Sequence, residues 1–268
     1  MIRLWNRWWT ELRKQLGREP SASEVSARFR DRERVFRAPP MTPELVRSIE
    51  KISPQFHLAP TQQSRDFWEL TQNGSCSGEF DALEPLLRAL GTPAKVLEVG
   101  CGLGRSAVFF KKKLPWGETD LHLYDSDGPR IHYPRTGERT DRSFCGDLGA
   151  LRQVLEFNGI DGYRVFDARD LDCRLDEMPG PYDLVYSFYA AGFHWSLADF
   201  WKELDGLLHE RSLGVFTIHR NFEEFDGLRA LPHRMVPFER SLAKDRPLRL
   251  LVVARDERLL EPLIDSGD

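Results

Sequence analysis

The sequence predicts an α/β protein. A mostly parallel, seven-stranded sheet is covered by helices on both faces and closed at one edge by an antiparallel C-terminal hairpin, and an N-terminal helical extension precedes it. Three observations carry this expectation. From about residue 80, short apolar runs alternate with helix-like stretches, the pattern of repeated strand–helix units in a parallel sheet. The last two apolar runs, 233–240 and 248–255, are too close for a full helix between them and read as a hairpin. The first 60 residues contain helix patterns broken by proline and no strand-like run.

Taken in order, Ile2, Trp5, Trp9, Leu12 and Leu16 fall at steps of three and four, one face of an amphipathic helix that Gly17 and Pro20 end. Ser21 and Glu24 form a capping box for a second, Arg-rich helix running to about Arg37. Thr42 and Pro43 suit the cap and first position of a third helix. Pro54 and Pro60 bracket a linker, so residues 1–60 are expected to be the extension and 61–268 the main domain. There the expected elements are a helix over 80–90, a strand over 95–99, a helix over 105–113 and a strand over 120–124. A polar insertion, 128–146, follows, then a helix over 148–157 and strands over 163–166 and 182–188. A helix over 197–208 and a strand over 214–219 precede the hairpin.

Composition narrows the function classes. With 41% hydrophobic and 30% charged residues there is material for a full core. No run approaches the ~20 apolar residues of a membrane-spanning helix, and the first residues lack the apolar stretch of a secretory signal. Cys76, Cys101, Cys145 and Cys173 form no CxxC pair, which argues against a zinc site or disulfide framework and for a reducing cytoplasm. The formal charge is -4, so no nucleic-acid partner is expected. Residues 1–40 hold ten Arg/Lys against five Asp/Glu, a local +5 that leaves -9 on the rest. The Trp-rich face of the first helix must be covered; its expected fates are packing on its own domain, a homodimer through that helix or, least favoured, a membrane interface.

The strongest motif is Val96-Leu-Glu-Val-Gly100-Cys101-Gly102-Leu-Gly104. A buried strand runs into three alternating glycines and then a helix. Glycines let the backbone turn sharply and approach a ligand, and the helix N-terminus offers free N–H groups. The G-x-G-x-G spacing departs from the dinucleotide G-x-G-x-x-G, and an acid, Glu98, precedes it by two places. The next strand ends in Asp125-Ser126-Asp127, and an acid there can accept two hydrogen bonds from neighbouring hydroxyls. Asp167-Ala168 follows the third strand, and Ser187-Phe188 ends the fourth.

As a set over about residues 80–255, these motifs resemble the class I S-adenosylmethionine-dependent methyltransferases, whose fold is Rossmann-like. The resemblance implies S-adenosylmethionine as cofactor. It places Gly100, Cys101, Gly102 and Gly104 at the methionine portion, with Glu98 behind the loop toward the amino group. Asp125 and Ser126 would lie at the ribose, with Asp127 as the fallback acid, Asp167 and Ala168 at the adenine, and Ser187 and Phe188 on the cofactor floor. Asp183, at the start of the fourth strand, reads as structural. The stretch from Ser187 to Ser196 resembles an aromatic segment of sugar O-methyltransferases, so the expected substrate is a small polar molecule such as a sugar, methylated on oxygen. The alternatives are a non-catalytic methyltransferase-like binding module, or an enzyme acting on protein or RNA.

A hydroxyl acceptor gains from a general base, and His194, after the fourth strand, is the candidate, against a His simply packed between Phe193 and Trp195. No metal is expected, because the fourth strand lacks the acid that metal-dependent relatives carry. Tyr133, Arg135, Arg139 and Arg142 in the insertion suit either a lid for an anionic substrate or a solvated loop. Trp68 reads as core or as an aromatic closing over the cofactor.

Overall fold

A computed structural model describes residues 34–52, 60–127, 131–134, 141–144, 146–171, 174–192, 195–218, 222–238 and 248–263. Its helices are α1 (Pro43–Ile52), α2 (Gln62–Leu90), α3 (Arg105–Lys113), α4 (Leu148–Phe157), α5 (Trp201–Gly206) and α6 (Asp226–Arg229). The strands are β1 (Lys95–Val99), β2 (Asp120–Asp125), β3 (Ile131–Pro134), β4 (Asp141–Phe144), β5 (Tyr163–Asp167), β6 (Tyr182–Ser187), β7 (Leu208–Ile218), β8 (His233–Phe238) and β9 (Leu248–Ala254).

Seven strands form one sheet in the order β5-β2-β1-β6-β7-β9-β8. The first five run parallel, and β9 lies antiparallel to both β7 and β8. The expected hairpin therefore exists, with its second strand inserted against β7 and its first at the edge. Strand order reverses at β1, which pairs with β2 on one side and β6 on the other. In open α/β sheets, ligands bind beyond the carboxyl ends of the strands at this reversal.

Alternation along the strands feeds two cores, one on each face. Val96 of β1 joins a cluster with Phe110 of α3 and Leu151 of α4, while Leu97 joins one with Phe200, Trp201 and Leu204. Residues before the sheet enter the first cluster: Val35, Phe36, Leu45 and Ile49 are all buried in it.

Several elements differ from the sequence expectation. The helix expected at 80–90 begins at Gln62, capped by the Thr61 hydroxyl, which accepts the Ser64 amide at 3.1 Å. Residues 62–79 contain glycine, serine and asparagine, poor helix formers, so intrinsic preference does not announce a helix there. Burial does: Trp68, Cys76, Phe80, Leu83 and Leu87 recur on one face. Residues 34–40 are not helical, so the second helix cannot reach Arg37. They form an irregular strap held by side chains. Asn73 Oδ1 accepts the Val35 and Phe36 amides at 2.9 and 3.0 Å, Glu69 accepts Ala38 N–H at 2.9 Å, and Asn158 Oδ1 accepts Arg37 N–H at 2.9 Å. The helix expected over 197–208 is a 3-10 turn, Ala198–Phe200, followed by the short α5. It stops because Gly206 precedes Leu208, which pairs with Tyr182 and starts β7 early. In the insertion, β3 and β4 pair as an antiparallel ribbon. The Trp-rich helix expected over 2–16 and all but Pro60 of the linker bracketed by Pro54 and Pro60 lie outside the described residues.

Among the described residues no helix is long and apolar enough to cross a membrane.

Candidate functional site

The glycine loop leaves β1 at the point of reversal. Gly100, Gly102 and Gly104 all have positive φ, at 73°, 54° and 72°, a region that side chains rarely adopt. Each does a different job. A Cβ on Gly100 would lie 2.2 Å from the Cβ of Ala190, so this glycine lets the segment after β6 press against the loop. A Cβ on Gly104 would lie 2.7 Å from Leu151, so it lets α3 approach α4. A Cβ on Gly102 meets nothing within 4 Å, so it faces open space. Cys101 between them is buried, and burial pushes its thiol well above the usual range.

Asp125, at the end of β2, is tied directly to this loop. Its Oδ2 accepts the Gly102 amide at 2.7 Å, and its Oδ1 accepts Ser126 N–H at 2.8 Å. Burial pushes its carboxyl up to about 6 despite both hydrogen bonds. Ser126 is buried beside it. Asp127 is more exposed, with its side chain at 47%. Lys51 of α1 donates to the Gly146 carbonyl at 2.6 Å, and its charge acts on Asp125.

Asp167 ends β5 directly beside Asp125, its partner in the ladder. Burial works to raise its pKa, but hydrogen bonds from Arg169 hold it below the usual carboxylate range. The Ala168 N–H, which the resemblance would aim at the adenine ring, donates instead to the Asp125 carbonyl at 2.7 Å. Asp183 accepts the Ala94 and Lys95 amides at 2.7 and 3.0 Å, tying β6 to the start of β1.

Glu98 is buried and held by two hydroxyl donors. Its Oε1 accepts the Ser106 hydroxyl and its Oε2 accepts the Tyr186 phenol at 2.8 Å. Burial pushes it up to about 7, against those two bonds. Ser187 bridges β1 and the next turn: its hydroxyl donates to the Val99 carbonyl at 2.7 Å and accepts Ala191 N–H at 2.8 Å. Phe188 packs edge-on against Phe110. Ser187 and Phe188 thus brace the end of β6. Trp68 is core, edge-on to Phe36 at 5.1 Å.

The structure therefore brings Glu98, the three glycines, Asp125, Ser126, Asp167, Ala168, Ser187 and Phe188 to the carboxyl ends of four adjacent strands. His194 lies outside the described residues; of its neighbours, Gly192 N–H donates to the Trp195 carbonyl at 2.9 Å. The side chains of the insertion also lie outside the described residues. Sequence reasoning missed Glu79, Arg105 and Tyr189. Arg105 follows the glycine loop directly, which is a usable signal; Glu79 carries none. Among the described residues, no three His, Cys, Asp or Glu side chains gather in a way that could hold a metal.

No family model and no curated protein matches the chain. It is similar to solved structures of low identity. A precorrin-6y C5,15-methyltransferase from Geobacter metallireducens GS-15 is 14% identical over 66% of this chain and 86% of that one, with a TM-score of 0.40. A magnesium protoporphyrin IX methyltransferase from Synechocystis PCC 6803, solved with bound S-adenosylmethionine, is 13% identical over 80% and 96%, at 0.45. A methyltransferase from Geobacter sulfurreducens is 16% identical over 81% and 90%, at 0.42. By its own sheet order, its single reversal point and the covering of both faces, the chain is a doubly wound, Rossmann-like α/β protein with an acid-flanked glycine loop at the switch point.

Proposed function

We propose that this chain is an S-adenosylmethionine-dependent methyltransferase that transfers the methyl group to an oxygen of a small polar molecule such as a sugar. The observation that carries the reading is the bond from the Gly102 amide to Asp125 Oδ2, with open space over Gly102. It couples the first two cofactor motifs into one rigid cradle beyond the switch point, and the third acid, Asp167, stands beside it.

The residues fit that cofactor. Gly102 admits the methionine portion because nothing stands over it. Asp125, held in place by two backbone donors, would accept from the ribose hydroxyls. Asp167 stands at the next strand end for the adenine amino group. When bound, S-adenosylmethionine supplies a methyl group on a positively charged sulfur, which makes the displacement possible. The chain aligns the acceptor and handles its proton; His194 is the proposed base, taking the hydroxyl proton at a ring nitrogen. The domain is taken as 61–268, with 1–60 as an extension whose strap and α1 fold against it. A homodimer through the helix expected over 2–16 is part of this proposal, read by light scattering before and after deletion of residues 1–18.

The test is calorimetric titration with S-adenosylmethionine, followed by mass spectrometry of a panel of hydroxylated and amine acceptors. Binding with a 14 Da gain on a hydroxyl substrate supports the reading. No binding ends the methyltransferase assignment, and methylation of amines alone ends the oxygen assignment.

A further inference from the structure

Beside the glycine loop, three elements meet around one carboxylate that no motif marks. Glu79 lies on α2 and is fully buried. Its Oε1 accepts the Tyr189 phenol at 2.7 Å and faces Arg105 Nη2 at 3.3 Å. Its Oε2 is buried and has no hydrogen-bond partner among the described residues. Burying a carboxylate oxygen without a donor is unfavourable, and proteins rarely keep one without a reason.

The surroundings tie Glu79 to the candidate site. Arg105 is the first residue of α3, immediately after Gly104, and its guanidinium lies over the Tyr189 ring at 5.5 Å. Tyr189 has φ 68°, the left-handed region, and is the one non-glycine residue with positive φ among the described residues. Backbone strain of this kind persists where the surrounding structure imposes it, and it concentrates at functional sites. The next residue, Ala190, is the one pressed against Gly100.

Two buried acids thus flank the loop, and they differ in one respect. Both oxygens of Glu98 already accept a donor from the protein, Ser106 on one and Tyr186 on the other. Glu79 has one oxygen engaged and one without a partner among the described residues. Among the described residues, Arg105 is the cation that acts on both Glu79 and Glu98, one positive charge set against two acids, which leaves room for a second. A primary ammonium supplies that charge and carries three N–H donors.

We propose that Glu79, not Glu98, is the acid that accepts a hydrogen bond from the α-ammonium group of the cofactor's methionine portion. Tyr189 and Arg105 hold its carboxylate in place through Oε1, and Glu98 supports the loop from behind through Ser106 and Tyr186. The inference rests on the methyltransferase reading and adds the ligand's amino group as the feature this chain selects.

The experiment compares two ligands by calorimetry. S-adenosylhomocysteine carries the ammonium; 5′-methylthioadenosine has the same adenosine and sulfur without the amino-acid portion. In Glu79→Gln, affinity for S-adenosylhomocysteine should fall about tenfold or more, the scale of a hydrogen bond to a charged group, while that for 5′-methylthioadenosine stays within about twofold. Glu98→Gln should not produce this selective loss. Equal loss for both ligands in Glu79→Gln, or no loss for either, overturns the proposal. Wild-type protein that binds neither ligand overturns the methyltransferase reading and this inference with it, an outcome distinct from a wild type that binds while the variant is unaltered. Should Glu79→Gln fail to fold, the carboxyl carbon resonance of Glu79 in isotopically labelled wild type replaces it. That resonance should move with S-adenosylhomocysteine and not with 5′-methylthioadenosine, and a signal unmoved by both overturns the assignment.

Discussion

The Gly102 amide donates to Asp125 Oδ2 at 2.7 Å across 23 residues of sequence. This bond joins the loop after β1 to the end of β2, so the two motifs cannot move independently. The acid is oriented by backbone donors before any ligand arrives, which is the form of preorganisation that favours tight binding.

The glycines should respond unequally to alanine. In Gly100→Ala the new methyl would sit 2.2 Å from Ala190 Cβ, so backbone must shift. Overpacking of this kind costs about 2 kcal/mol or more. Gly102→Ala meets nothing within 4 Å and bears only the positive-φ penalty, about 1 kcal/mol. Urea denaturation of both variants checks this; equal destabilisation would contradict the distinct roles given to the two glycines.

Binding should respond to a larger side chain at Gly102. Gly102→Val places a branched side chain in the open space over the loop and should raise the dissociation constant for S-adenosylhomocysteine at least ~100-fold. A folded variant with wild-type affinity would remove this loop from the ligand site.

Stability should depend on pH through Glu98. Burial raises its pKa from 4.5 to about 7, so the folded protein holds this proton more tightly than the unfolded chain does. The stabilisation is fully present below pH 4.5 and is lost as pH rises through about 7. At 1.36 kcal/mol per pKa unit, the loss is of order 1–3 kcal/mol. Glu98→Gln stays neutral throughout, so its melting temperature should change less than wild type between pH 4.5 and 7. Parallel curves for the two proteins would refute the assignment.

The strap depends on one amide. Asn73 accepts two backbone amides and donates to the Phe36 carbonyl at 2.8 Å. Asn73→Leu should destabilise by about 3 kcal/mol, because several buried backbone groups lose their partner at once. It should also speed trypsin cleavage at Arg34 and Arg37, read by mass spectrometry over time. Unchanged cleavage would mean that Glu69, Arg65 and Asn158 hold the strap without it.

His194 makes a separate claim on turnover. If it takes the acceptor's proton, His194→Ala should lower kcat roughly 100-fold or more while cofactor affinity stays nearly the same. Full activity in a folded variant would exclude it as the base.

The sequence by itself determined the strand–helix alternation, because its apolar runs are short, local and separated by clear turns. The expected bounds of α3 and α4 match the structure residue for residue. The acids at strand ends were legible for the same reason: Glu98, Asp125 and Asp167 each sit within two residues of a strand's carboxyl end. What tertiary structure decided is everything that depends on contact between distant segments. The first half of α2 is helical through burial of Trp68 and Cys76 rather than through its own preference. Residues 34–38 are not helical, because Asn73 and Glu69 of α2 and Asn158 after α4 take their backbone hydrogen bonds. Glu79 has no motif to mark it; only packing α2 against α3 and the turn after β6 sets it against Arg105 and Tyr189. Local pattern encodes which elements form, whereas the unpartnered oxygen of a buried acid exists only once three elements have closed around it.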